Sequence, residues 1–364
     1  MLDGVMKVLG IETSCDETAI AIVSGEGERL SVDQSFVFSQ IDTHEAFGGV
    51  VPEVAARLHL EKLLPMLATH VSNDGSGIDA VAVTAGPGLA PALRTGVETA
   101  KTLAWLWNKP LVPVSHLEGH IYANWLQDAV PTLPALCLIV SGGHTELIVM
   151  RAHGEFERIG ETLDDAAGEA FDKVAQMLGL GYPGGPKVEA LAKEGDKKAF
   201  DFPRGLLERD DFDFSFSGIK TSVLYTLRRF SPLAKGGLKG GQGSVEKREV
   251  TTPNPSLKRR GIDADVAASF QEAVVDALIT KTKRAAESVL PASLLLAGGV
   301  AANSELRNRF EALGASLGIP VFVPPFKYSL DNAAMIAAAG CFRAQDAKNF
   351  ADPLTLEANS NLDF

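Results

Sequence analysis

The sequence predicts an α/β protein of about two domains. Its length is one reason: 364 residues at roughly 150 per domain give two. The second is the alternation of short apolar runs with longer segments of helical spacing, the pattern of α/β domains. The third is a unit of strand, polar turn and strand that occurs near the start and again after residue 135. Two such hairpins suggest a duplicated domain, although an α/β protein also carries several hairpins without duplication.

The elements follow in chain order. Residues 7–12 are apolar, 13–18 polar and 19–23 apolar again, which reads as strand, tight turn and strand. Residues 53–70 carry Val54, Leu58, Leu63, Leu64 and Leu67 at near-helical spacing, with Pro65 as a kink. Residues 81–84 form a strand before a glycine turn, 90–107 a helix and 111–114 a buried strand. The second hairpin pairs 136–140 with 147–150 across Ser141-Gly142-Gly143-His144-Thr145. Asp265 is placed to cap a helix bearing Val266, Phe270, Val274, Ala277 and Leu278. A strand at 294–297, a helix from Asn303, a strand at 321–323 and a helix over 331–339 complete the pattern. Residues 231–261 hold seven Lys or Arg against two Asp or Glu, with Gly throughout and few apolar side chains. Such a stretch cannot bury enough surface to fold alone and reads as a flexible basic insertion.

Composition narrows the function. With 34 basic and 46 acidic side chains the formal charge is −12, which argues against a generic nucleic-acid binder but leaves room for a local basic patch. Three scattered cysteines, Cys15, Cys137 and Cys341, make neither a disulfide framework nor a zinc knuckle. No apolar run reaches the roughly 18 residues of a membrane helix, and the N-terminus lacks the pattern of a secretory signal. A cytoplasmic protein is expected.

Several motifs carry chemistry. His116 and His120 stand four residues apart, so on a helix they share a face and can grip one metal ion. Taken alone the pair is no proof of a metal site, because a third ligand is required. Asp331 is one candidate, and a helix N-cap is its other reading. A zinc protease would place Glu directly after the first His, whereas Glu118 comes two residues after. Gly142-Gly143, Gly184-Gly185 and Gly298-Gly299 sit in turns where backbone N–H groups can approach an anion. None fits a dinucleotide fingerprint or a P-loop. Asp16 and Glu17 lie in the first hairpin turn, where a carboxylate could handle a proton or simply make an Asx turn. Asp172 and Glu189 could reach ribose hydroxyls, and Lys220 a phosphate.

Together the motifs resemble one family. GIETSCDET at 10–18, HLEGH at 116–120, SGGHT at 141–145, YPGGP at 182–186, FSFSGIKT at 214–221, GGVAAN at 298–303 and DNAAMIA at 331–337 stand in the order of the bacterial TsaD family, also called Gcp or YgjD. The resemblance implies two related domains of the actin, Hsp70 and sugar-kinase (ASKHA) class around a central cleft. It places one lobe at 1–130 plus 331–364 and the other at 131–330. It also implies transfer of a threonylcarbamoyl group from threonylcarbamoyl-AMP to N6 of adenosine 37 in tRNAs reading ANN codons, giving t6A and AMP. His116, His120 and Asp331 then correspond to ligands of iron or zinc. Ile139, Val140, Ser141, Gly142, Gly143, Asp172, Gly185 and Asn303 correspond to substrate contacts, with Glu189 as an acidic ribose contact. Asp16 and Glu17 correspond to acidic residues needed for transfer. TsaB-like and TsaE-like proteins are the implied partners. The competing readings are a small-molecule kinase of the same fold, a metalloprotease, and a non-catalytic binding partner.

Overall fold

The computed structural model describes residues 5–230 and 255–364. Five strands make a first sheet: β1 (Met6–Glu12), β2 (Glu17–Glu26), β3 (Arg29–Ser39), β4 (Ala80–Gly86) and β5 (Leu111–Ser115), in the order β3-β2-β1-β4-β5. Five more make a second: β6 (Ala135–Val140), β7 (Thr145–Ala152), β8 (Glu155–Glu161), β9 (Ser293–Ala297) and β10 (Val321–Phe322), in the order β10-β9-β6-β7-β8. In each sheet the first three strands are an antiparallel meander and the last two run parallel to the first. The two sheets therefore share one topology, which decides for duplication over the chance recurrence of a hairpin.

Period-two alternation explains how each sheet is covered. On the first sheet Leu9, Ile11, Val81 and Val83 face one cluster with Leu63, Leu67, Val97 and Ala100, which lie on α2 (Pro52–His70) and α3 (Ala90–Trp107). Val8, Ala21 and Ala82 face the other way. On the second sheet Leu136, Leu138 and Leu296 face a cluster with Phe171, Val188, Val223, Phe270 and Phe310, from α5 (Ala167–Met177), α6 (Gly184–Ala192), α7 (Ser217–Phe230), α8 (Pro255–Val289) and α9 (Ser304–Leu317). Cys137, Ile139 and Leu295 face the first sheet.

Between the sheets lie α4 (His116–Tyr122) and α11 (Ala333–Arg343). A single cluster runs from Val8 and Ala82 through Leu117, Ile121, Met335 and Ile336 to Cys137 and Leu295. This burial on all sides is why α11 reads AAMIAAAGCF with no polar face. The inner face of the first sheet is small enough for close approach: a Cβ on Gly10 would stand 2.3 Å from the Ala333 carbonyl oxygen.

Four expectations need correction. Asp265 caps nothing; α8 starts at Pro255, and Asp265 accepts the backbone N–H of Asp196 at 2.8 Å from within the helix. The same helix takes residues 255–261 out of the expected flexible insertion, while 231–254 lie outside the described residues. Asp331 is not an N-cap, because Asn332 caps α11 through the Met335 N–H. The buried side of α2 is Ala55, His59, Leu63 and Leu67, with Leu64 exposed.

Candidate metal centre and interlobe cleft

In parallel α/β sheets ligands gather beyond the carboxyl ends of the strands. Here β1, β5, β6 and β9 all deliver candidate residues at that edge. β5 runs straight into α4, which presents His116 and His120 one turn apart. The short α10 (Phe326–Ser329) ends just before Asp331, and α11 begins just after it. Asp331 Oδ1 lies 3.5 Å from His116 Nε2 and 3.2 Å from His120 Nε2. The imidazoles meet edge to face with centroids 4.6 Å apart. The three ligand atoms fall within 4.8 Å of one another.

These residues fit a metal ion. His120 is 1% exposed and both its ring nitrogens lack a hydrogen-bond partner, although Nε2 stands close to Asp331. A buried polar atom without a partner is costly, and a cation between the three donors removes that cost for Nε2. Behind His116, Nδ1 stands 3.2 Å from Glu12 Oε2 and 3.1 Å from Ser14 Oγ. Burial depresses the His116 imidazole, but the flanking carboxylates of Asp331 and Glu12 outweigh it and hold the group well above the usual imidazole range. Glu118 turns away from the histidines and pairs with Arg343 at 2.9 Å, which removes it as the general base a metalloprotease would need.

The first hairpin turn brings the acidic pair to the same cleft. Asp16 is buried, and burial together with the carboxylates of Asp331 and Asp16 pushes Glu17 well above the usual carboxylate range. Across the cleft Asp16 acts electrostatically on Asp172 and Tyr182 of the other lobe. Burial and its acidic neighbours push the Cys15 thiol well above its ordinary value.

The second hairpin turn holds Ser141, whose carbonyl accepts the Gly168 N–H at 3.2 Å, and then Gly142 and Gly143, with nothing near either glycine's absent side chain. Ser141 Oγ accepts the His144 N–H at 3.0 Å and closes the turn. Ile139 and Val140 are fully buried in β6, so their side chains face the core. Gly298, at φ +87°, lets β9 exit tightly; a Cβ there would sit 2.4 Å from the Val140 carbonyl oxygen. Asp172 accepts the Gly184 N–H at 2.7 Å and so fixes the start of α6, which carries Gly185. Glu189 accepts from the Ser304 hydroxyl. Asn303 caps α9 through Leu306 N–H at 3.0 Å and donates to Gln271 at 2.9 Å. Both are thus already engaged in the fold. Lys220 pairs with Asp165 rather than facing an open phosphate position.

Sequence reasoning assigns no role to His144 or to Glu12. Burial, then the nearby His116 and His120, lowers His144 to about 4, so it stands neutral beside the histidine pair. The repeated hairpin was the signal for His144, since it sits in the second turn as Asp16 does in the first.

The model of the TsaD family, tRNA N6-adenosine threonylcarbamoyltransferase, matches residues 32–338. The chain is 50% identical over 351 residues to a protein of that description from Thermomicrobium roseum, covering 93% of this chain and 92% of the relative. A second from Carboxydothermus hydrogenoformans is 47% identical over 356 residues, covering 98% and 97%. Among solved structures, HypF from T. kodakarensis superposes with a TM-score of 0.58 at 12% identity over 95% of this chain. A phosphate- and nucleotide-bound full-length HypF gives 0.57 at 14%. This chain spans about half of each HypF, covering 49% and 47% of them, and that likeness concerns the fold alone.

Proposed function

This chain belongs to the TsaD family of tRNA N6-adenosine threonylcarbamoyltransferases, and from that premise we propose how its cleft runs the reaction. Formation of t6A in tRNA is the activity, and the two-lobed ASKHA-type fold is its frame. The proposal concerns the donor, the ion, the residues and the partners.

The donor is threonylcarbamoyl-AMP and the acceptor is N6 of adenosine 37 in ANN-reading tRNAs. This exocyclic amine is a poor nucleophile because its lone pair is delocalised into the ring. The cleft must therefore orient the amine and favour departure of AMP. N6 forms a bond to the carbamoyl carbon, the bond from that carbon to the phosphate oxygen breaks, and AMP leaves with the electron pair. The amine loses one proton. Asp16 or Glu17 of the acidic turn takes that proton or positions the amine. His116, His120 and Asp331 would hold an iron or zinc ion, which when bound would supply Lewis-acid polarisation and positive charge. The donor set suits either metal: two imidazoles and a carboxylate leave positions open for a ligand.

Ser141, Gly142, Gly143 and Gly185 offer main chain to the departing phosphate. Ile139, Val140 and Asn303 are the other substrate-contact positions, and Asp172 and Glu189 are the carboxylates offered to ribose. The observation that carries this reading is the convergence of the ligand triad, the acidic turn and the open glycine turn at one edge of the cleft.

TsaB-like and TsaE-like proteins are proposed as partners, and the cytoplasm as the compartment; among the described residues no helix is long and apolar enough to cross a membrane. The lobes are proposed to divide as 1–130 plus 331–364 and 131–330. The packing of α11 on the first sheet and the bridge of Ala351 to Leu111 support the return of the chain to the first lobe.

The test is transfer in vitro with synthetic threonylcarbamoyl-AMP, unmodified tRNA and the proposed partners, read by nucleoside mass spectrometry. t6A should form on tRNA with A37 and not on a tRNA with G37. Equal acyl transfer to both would sink the assignment of the acceptor.

A further inference from the structure

Glu12 ends β1 and is fully buried. A carboxylate in such a place is expensive unless every lone pair has a donor. Three donors meet it. Ser14 N–H donates to Oε1, the Thr84 hydroxyl donates to Oε2 at 2.6 Å, and His116 Nδ1 stands 3.2 Å from the same Oε2, with the neutral Ser14 Oγ 3.1 Å from that nitrogen as a second neighbour. The other nitrogen of that ring, Nε2, faces Asp331. One ring thus joins a buried carboxylate on one side to the ligand cluster on the other.

We propose that Glu12 is the positioning residue of the metal centre: it accepts the His116 Nδ1 proton, so Nε2 presents its lone pair to the ion, and its own orientation is set by Ser14 and Thr84. A histidine that ligates through one nitrogen is held by what the other nitrogen donates to, and losing that partner typically costs about 10- to 100-fold in metal affinity. The arrangement requires a carboxylate. Its two acceptor oxygens serve Ser14 on one side and Thr84 with His116 on the other. A glutamine of the same shape must aim its NH2 at one of those donors whichever way it turns. Glu12 touches neither the ion nor the substrate. Its charge and that of Asp331 together balance a divalent ion in a setting where an unbalanced charge is costly.

The inference rests on His116, His120 and Asp331 holding a metal, so the experiment separates the two ideas. Zinc binding to the full chain is measured by competition with a chromophoric chelator for the wild type, Asp331→Asn and Glu12→Gln, with circular dichroism reporting the fold. The expected result is one zinc per wild-type chain, severe loss in Asp331→Asn, and a loss of about 10- to 100-fold in folded Glu12→Gln. If Asp331→Asn binds zinc like the wild type, the metal reading fails and takes the proposal with it. If Asp331→Asn loses zinc while Glu12→Gln keeps wild-type affinity, the role of Glu12 is overturned and the metal site stands. Should Glu12→Gln not fold, histidine 15N NMR of the zinc-bound wild type decides. A protonated, hydrogen-bonded Nδ1 on His116 is expected, and an Nδ1 without a proton overturns the proposal.

Discussion

Glu146 gives the sharpest stability prediction. It is the second residue of β7, beside the second hairpin turn, and is 4% exposed, with Oε2 buried and unpartnered. Its nearest cation, Arg158, stays 3.8 Å from Oε1. Burial is the main cause that lifts this carboxyl from 4.5 to about 7; Arg158 opposes the rise, and Asp363 and Glu161 add to it. Because the folded value lies above the unfolded one, the group favours the fold most below pH 4.5. That contribution is lost as pH rises through about 7. At about 1.4 kcal/mol per unit the loss amounts to about 3 kcal/mol. Glu146→Gln keeps the shape and removes the ionisation, at the cost of a weak Arg158 contact worth under about 1 kcal/mol. The variant should therefore melt above the wild type at pH 8 and at or below it at pH 5, in thermal unfolding followed by circular dichroism at matched ionic strength. An offset of the same sign and size at both values would refute the assignment of a buried, raised carboxyl.

Three further outcomes follow from contacts already described. Gly298→Ala forces a Cβ to within 2.4 Å of the Val140 carbonyl at φ +87°, and should cost more than about 2 kcal/mol in chemical denaturation. Arg343→Met strands the buried Glu118 carboxylate and should destabilise by about 3 kcal/mol, yet leave zinc stoichiometry intact because Arg343 touches neither histidine. tRNA affinity should fall steeply with salt despite the net charge of −12, since any basic face must still displace counterions; a flat salt profile in filter binding would count against a local basic patch.

The residues differ in how openly they declare themselves. β1, β6 and β9 were legible because central strands buried on both faces are short unbroken apolar runs. β3 and β8 were not, because they are edge strands whose side chains are mostly exposed and whose polar character resembles loop. Helix α3 was read to its ends, whereas the start of α8 was hidden behind basic residues and misassigned to Asp265, a plausible cap that instead binds the Asp196 N–H. The histidine pair was visible in its spacing of four. Its meeting with Asp331 came from the family resemblance alone, because spacing cannot close a gap that the packing of α4 against α11 between the sheets closes. Glu12 looked like the polar end of a strand, and nothing local distinguishes such a residue from one that holds a histidine ring from behind. Asp172, Glu189 and Asn303 show the reverse: residues singled out for ligand contact that the fold also uses to fix α6, Ser304 and α9.

The most direct test of the central claim is nucleoside mass spectrometry of total tRNA after depletion of this protein in its host. t6A should disappear, return with the intact gene, and fail to return with His116→Ala, although that variant folds. Persistence of t6A at its normal level after depletion, or full restoration by His116→Ala, would contradict a transferase that works through this cleft.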